Sequence, residues 1–301
     1  MARGANPPDD EEAGMLRMSL LEHLEELRSR ILRALAGVGV AFVLSMFFGD
    51  WLWRVVARPA MEALRTLGYR PQIVFTTPPE AFLTVWVKMP MLVSVFLASP
   101  WVLYQVWAFV APGMYRHERR WGATFVIVSA GLFLLGGVFG YFVAFHNGLT
   151  FLLGAGKDLD IVPLISVSDY FDLFVEVMVG LGLVFELPAL IFLLTLMGVA
   201  TPSFLLRQSR YAVLLIVVVA AVVTPTTDWF NLMLFAVPMI VLYYAGVGAG
   251  YVLVRRREGR GLPGQRGIWW ATGAAVVAGA GYVAARRRGF RVASHWPFLA
   301  R

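Results

Sequence analysis

Between Arg210 and the turn "TPTTD" (224–228) lies one unbroken apolar run, "YAVLLIVVVAAVV" (Tyr211–Val223). As a helix it reaches only about 20 Å at ~1.5 Å per residue, short of the roughly 30 Å hydrocarbon core of a bilayer. Taken alone, it reads as a buried or re-entrant helix. Its surroundings decide otherwise. Longer apolar runs stand at about 34–53, 81–104, 121–145, 170–197 and 229–254. With those five crossings alone, the cluster Arg255–Arg257 falls on the opposite side from the arginines that precede the first run. Counting the short run as a crossing brings them together, and a bilayer thins around a short helix at modest cost. The expected architecture is therefore an all-α polytopic membrane protein of six transmembrane helices.

The composition agrees. Of 301 residues, 59% are hydrophobic and 15% charged, with 22 Phe and 10 Trp, too apolar for a water-soluble domain. The net charge of +7 resides largely in arginines beside apolar runs. There they act as topology determinants, and no nucleic-acid partner is expected. One side of the six-span order collects Arg17, Arg28, Arg30, Arg33, Arg116, Arg119, Arg120, Arg207, Arg210, Arg255–Arg257, Arg260 and Arg266. That side reads as cytoplasmic, with both ends of the core inside, although Arg54, Arg58, Arg65 and Arg70 of the first outer loop run against the bias. Residues 1–15 read as a disordered acidic, Pro-rich tail, 16–258 as the six-span core and 259–301 as an extension. Ile268–Ala285 in the extension is a possible seventh hydrophobic segment, flanked by arginines and read as interfacial.

Chemistry is sparse. Cysteine is absent, which excludes disulfides and thiolate ligands, and neither HExxH nor GxSxG occurs. "LLGAGKD" around Lys157 lacks the first glycine and the Ser or Thr of a phosphate loop. Neither enzyme activity, a metal nor a cofactor is expected. What stands out are charges placed within spans. Glu186 in "GLVFELPAL" lies deep in span four, facing a wet cavity or the bundle interior, or else sitting protonated against a neighbouring helix. Lys88 and Glu176 share a depth in spans two and four, so they are expected to pair unless Lys88 snorkels to the interface. Pro90, Pro100, Pro188 and Pro238 predict bends, and Gly136 with Gly140 predicts a close helix approach in span three. In "LEHLEELRSRIL" (Leu21–Leu32), Leu20, Leu24, Leu27 and Ile31 form one helical stripe. Glu22, Glu25 and Glu26 lie off it, expected toward cytosol or headgroups, with Glu26–Arg30 and Glu25–Arg28 at ion-pair spacings.

Two stretches sharpen the reading. "LLEHLEELRSRIL" and "SPWVLYQVWAFVAPGMYRHERR" (Ser99–Arg120) resemble the N-terminal segment and first cytoplasmic loop of the TatC family, the receptor subunit of twin-arginine protein export. "VFELP" (184–188) and "TPTTD" resemble its fourth span and last outer loop, and the likeness covers about 16–255. The resemblance implies a cupped six-helix bundle with short spans five and six, in the bacterial cytoplasmic (inner) membrane. It implies as partners the twin-arginine signal peptides of folded precursors, single-span TatA-type and TatB-type proteins, membrane lipids and further copies of the chain. The signal-binding positions it implies are Glu26, Arg28, Arg30, Phe109, Pro112, Tyr115, Glu118 and Glu186. Thr224, Pro225 and Asp228 fall in the outer loop or partner-helix contact, where the chain departs from the family's "TPPD" and carries Leu232 in place of a glutamine. Glu26 and Glu118 are the expected acceptors of the paired guanidinium groups, steadied by Arg28, Arg30, Arg119 and Arg120. A proton-coupled transporter built on Glu186 and a purely structural scaffold are the competing readings; no internal repeat of the transporter kind is evident.

Overall fold

The computed structural model describes residues 20–75, 77–114, 119, 121–154, 163–224, 229–257, 291–292 and 299–300. Apart from a two-residue β-pair near the C-terminus, Arg291–Val292 with Leu299–Ala300, these residues build helices and their connections. The N-terminal tail and Ile268–Ala285 lie outside the described residues.

Span one is a single helix, Leu20–Met46. The entry stretch and the first apolar run are continuous because neither proline nor a turn sequence separates them. The run expected at 34–53 is nevertheless cut at Phe47–Phe48, and a second helix, Gly49–Leu67, begins at once. A side chain at Gly49 would press on the Trp86 ring at 3.1 Å, so the break lets the backbone lie against span two. The second helix is amphipathic. Leu52, Val56, Ala60, Ala63 and Leu64 are buried, whereas Trp51, Arg54, Arg58 and Arg65 face outward. Gly68, at φ 84°, ends it in a left-handed cap, with Tyr69 N–H reaching the Leu64 carbonyl at 2.9 Å. Pro59 sits inside this helix and offers no N–H to Val55. The Val55 carbonyl accepts instead from the Tyr141 hydroxyl at 2.7 Å.

Span two runs from Pro78 to Val110 and widens into a π-turn at Thr84–Lys88, directly before Pro90, whose ring crowds the carbonyl four residues back. Pro100 leaves the helix continuous. The Ser99 hydroxyl donates to the Phe96 carbonyl at 2.8 Å, the acceptor that Pro100 deprives of its usual donor. Span three, Gly122–Gly154, carries a second π-turn at Gly140–Phe145. Its Gly136 and Gly140 meet span four as expected. A methyl at Gly136 would fall 2.6 Å from the Leu181 carbonyl oxygen, and one at Gly140 would fall 3.0 Å from Met178.

Span four, Val167–Leu196, steps at Glu186 ahead of Pro188. Span five, Ser209–Val223, is the short crossing at 15 residues. Span six is not short: Trp229–Arg257 is one helix of 29 residues through Pro238, about 44 Å at ~1.5 Å per residue. It closes on span four through Gly246, where a methyl would stand 2.7 Å from Pro188 Cα, and through Gly250 beside Thr195.

The spans pack in an open row: one on two, two on three, three on four, four on six, and six on five. The larger core, including Leu64, Met89, Phe145, Phe171, Phe174, Phe235 and Met239, lies between spans two, three, four and six and the helix Gly49–Leu67. A smaller one, Trp107, Met114, Phe125, Leu193, Leu196 and Leu253, lies under the arginine-rich end. At the opposite end Glu80 knots two connections together. Its carboxylate accepts from Thr77 N–H (3.2 Å), the Ser166 hydroxyl (2.6 Å) and Ser168 N–H (2.9 Å). Beside it, Val74 bridges Ile165 and Val167 through backbone bonds of 2.9 and 2.8 Å.

Candidate functional site

The entry part of span one differs from the sequence expectation at Glu26, which is half-buried, whereas Glu22 and Glu25 are exposed as expected. Leu24 and Ile31 of the apolar stripe are 59% and 50% exposed, available to lipid, while Glu26 and Arg30 of the polar face lie toward span two. This follows from the solvent. In water an apolar stripe buries itself, but beside acyl chains it has no need to, and the polar face gains more from hydrogen-bonding partners within the protein. His23, Glu26 and Arg30, at helical spacing, therefore meet Gln105 and Phe109.

The His23 and Phe109 rings stack with centroids 4.4 Å apart at 22°. Arg30 Nη2 donates to Glu26 Oε1 at 3.2 Å, and its Nη1 donates to Oε1 of the buried Gln105 at 3.4 Å. The Glu26 and Arg30 side chains keep 17% and 23% exposure, which strengthens the pair over a surface one. The second carboxylate oxygen of Glu26 is buried and accepts no hydrogen bond from the described residues. Glu26 is thus an anion half in use, held between two helices. Just above, the Trp101 indole donates to the Arg33 carbonyl at 2.9 Å, and Gly37 leaves room for that ring.

The turn after span two, Ala111–Gly113, is clamped by Arg119. Its Nη2 donates to the Pro112 carbonyl at 3.0 Å and its Nε to the Met114 carbonyl at 3.3 Å. Its guanidinium is bound by backbone, so the expectation that Arg119 steadies the glutamates gives way to a role in shaping this turn. Arg28 is exposed and forms no ion pair with Glu25. Of the four arginines expected to steady the glutamates, Arg30 is the one seen doing so, on Glu26; Arg120, Tyr115 and Glu118 lie outside the described residues.

Deeper, Ser129 of span three donates its hydroxyl to Glu186 Oε2, while Oε1 of Glu186 is buried without a hydrogen-bond partner among the described residues. Glu186 sits where the backbone of span four steps, and its side chain meets Ser129 of span three. Lys88 does not pair with Glu176. Its ammonium donates to Asp172 at 2.8 Å, one turn nearer the helix start. Thr224 is 7% exposed, with its hydroxyl turned back onto the Ala220 carbonyl at 2.7 Å. Pro225 and Asp228 lie outside the described residues.

Gln105, His23, Ser129 and the clamp by Arg119 were missed from sequence. The spacing of His23, Glu26 and Arg30 on one helical face, opposite an apolar stripe at a bilayer border, was the available signal for the first two. Nothing local marks Ser129.

The family pattern described as Sec-independent protein translocase protein (TatC) matches residues 22–238. The TatC protein of Koribacter versatilis is 42% identical over 236 residues, covering 78% of this chain and 86% of its own. TatCy of Bacillus subtilis is 34% identical over 231 residues, covering 75% and 86%. A crystal structure of the twin arginine translocase receptor TatC superposes with a TM-score of 0.66 at 29% identity, over 78% of this chain and 100% of that one. The same receptor crystallised in DDM gives 0.67 at 29% identity, over 76% and 99%. An integral membrane chain of apolar helices packed in this row, matched from its entry helix well into its last span, belongs to the TatC family of Sec-independent protein translocase proteins.

Proposed function

We propose that this chain is the leader-binding receptor of a twin-arginine translocase. It binds the signal peptides of folded precursors at the arginine-rich end of the bundle and organises assembly with TatA-type and TatB-type single-span partners and further copies of itself. The arginine-rich end faces the cytoplasm in this reading, and the chain crosses the cytoplasmic membrane with both ends of its core inside.

The observation that carries the reading is Glu26. One carboxylate oxygen is paired with Arg30, the other is buried without a partner among the described residues, and the His23–Phe109 stack lies beside it. Two adjacent guanidinium groups present planar donor forks. One fork exchanges with Arg30 on Glu26 and satisfies the idle oxygen, for about 1.5 to 3 kcal/mol per charged hydrogen bond. Phe109 supplies an aromatic face for a cation, and Pro112, held by Arg119, fixes the turn that leads to Tyr115 and Glu118. Glu118 takes the second guanidinium, and Arg28 repels arginines offered in the wrong register. Glu186 is a polar landmark for the apolar part of the leader. Thr224, Pro225 and Asp228 contribute to the outer loop and to partner-helix contact.

Lysine cannot reproduce the fork. The purified protein is expected to bind an Arg-Arg leader at least about tenfold more tightly than its Lys-Lys counterpart, a difference of about 1.4 kcal/mol. Equal affinity overturns the reading. In cells, Glu118→Gln is expected to abolish export of a twin-arginine reporter while the variant still inserts in the membrane. Normal export would remove Glu118 from the site.

A further inference from the structure

Four arginines at the end of the bundle away from the arginine-rich border run against the charge bias that orients the chain. Arg54, Arg58, Arg65 and Arg70 are exposed, and none of their guanidinium groups joins an ion pair or a hydrogen bond among the described residues. Trp51, Arg54, Arg58 and Arg65 share one face of the helix Gly49–Leu67, opposite the buried Leu52, Val56, Ala60 and Ala63. Glu62 interrupts that face between Arg58 and Arg65, but its carboxylate lies 4.0 Å from His146 of span three and pairs with neither arginine.

Span three fixes the depth of this face. Tyr141, whose hydroxyl holds the Val55 carbonyl, stands about 28 Å along the helix from Gly122 at ~1.5 Å per residue. Gly122 begins span three close after the turn clamped by Arg119. A hydrocarbon core of roughly 30 Å that starts there ends near Tyr141 and Val55, and a headgroup layer of about 5 to 8 Å lies beyond. The helix Gly49–Leu67 climbs outward along span three, since a side chain at Gly154 would touch Leu67 at 3.5 Å. The exposed Phe47, Phe48 and Trp51 therefore lie beside acyl chains. Arg54 stands at the border, Arg58 one turn higher among headgroups, and Arg65 about 10 Å beyond Arg58.

We propose that Arg54 and Arg58 clamp the phosphate of an anionic phospholipid, whose acyl chains run down along Trp51, Phe48 and Phe47. Side chains four residues apart on a helix are about 5 to 6 Å apart at Cβ, close enough for two guanidinium forks to grip one phosphate. The headgroup is anionic because a choline or ethanolamine would add a cation beside two unpaired arginines, with the nearest acid, Glu62, drawn to His146. Arg65 is too far out to join the clamp. The lipid offsets arginines that otherwise work against the chain's orientation. In the orientation given above the lipid belongs to the outer leaflet. The clamp itself does not depend on leader binding, so the two ideas fail separately.

The test uses the purified full chain in neutral detergent, melted with phosphatidylglycerol, phosphatidylcholine or inorganic phosphate. Phosphatidylglycerol is expected to raise the melting temperature with an apparent affinity at least about tenfold above that of phosphatidylcholine. The double variant Arg54→Gln, Arg58→Gln is expected to melt as the native chain does without lipid, which reports its folding, and to lose the gain. Arg65→Gln is expected to keep it. An equal response to phosphatidylcholine or to inorganic phosphate overturns the clamp, as does a loss with Arg65→Gln as large as that of the double variant. A second readout needs no variant: in nanodiscs, phosphatidylglycerol carrying a photoreactive headgroup should crosslink within Gly49–Leu67 and be displaced by unlabelled phosphatidylglycerol but not by phosphatidylcholine. Crosslinks confined to other helices, or displaced equally by both lipids, overturn it as well.

Discussion

At Glu26, the proposed acceptor, one carboxylate oxygen is paired with Arg30 and the side chain lies between two helices. Its place off an apolar stripe suggested an outward headgroup contact, but the stripe faces lipid and Glu26 faces Gln105 and Arg30. Periodicity identifies the faces of a helix and leaves open which one packs, because that depends on the surrounding solvent. Glu26→Gln removes the charge and keeps the shape. It is expected to weaken Arg-Arg leader binding about tenfold while shifting the stability of the detergent-solubilised protein by no more than about 1 to 2 kcal/mol, read from titration and thermal melts on the same preparation. Full affinity in a stable Glu26→Gln variant would move the acceptor elsewhere. Lys88 teaches a similar lesson. Depth along a span was readable, but Asp172 and Glu176 lie one turn apart on one face, and only packing selects between them.

At the level of helices, apolar runs located all six crossings yet misplaced one boundary. The run at 34–53 fuses the end of span one with a separate amphipathic helix, whose first residue Gly49 packs on Trp86 of span two, a contact that sequence proximity does not reveal. The two π-turns were equally silent, since an extra residue in a turn has no compositional signature beyond the Pro90 that follows one of them. The Gly136 and Gly140 pair was the clearest element-scale signal, because spacing alone brings both onto one face. Gly136→Val forces a side chain into the Leu181 backbone, where no rotamer can give way. A loss of about 1 to 3 kcal/mol is expected, seen as a lowered melting temperature in detergent. An unchanged melt would mean that spans three and four sit farther apart than described.

Across the whole molecule, the row of spans ends in a helix of 15 residues beside one of 29. Family resemblance led to the expectation that both would be short; composition alone marked only the first. A crossing of about 22 Å next to one of about 44 Å cannot suit a single bilayer thickness, so the membrane must thin at span five while span six tilts or projects. Reconstituted protein is therefore expected to be more heat-stable in bilayers of 14-carbon than of 20-carbon acyl chains, with thickness-dependent labelling near Tyr211 as a local probe. Equal stability across that series would argue that span five is sheltered from lipid by another subunit.

Pro59 and Tyr141 also act at this scale. One residue removes a backbone donor from the helix Gly49–Leu67, and the other, rooted in the π-turn of span three, replaces it. Their chemistry is reciprocal: a phenylalanine at 141 strands an oxygen only while proline holds position 59, and restoring an amide there makes the phenol dispensable. Homologues can therefore drift at these sites as a couple more freely than singly, and a graft of either segment into a relative should carry its counterpart along.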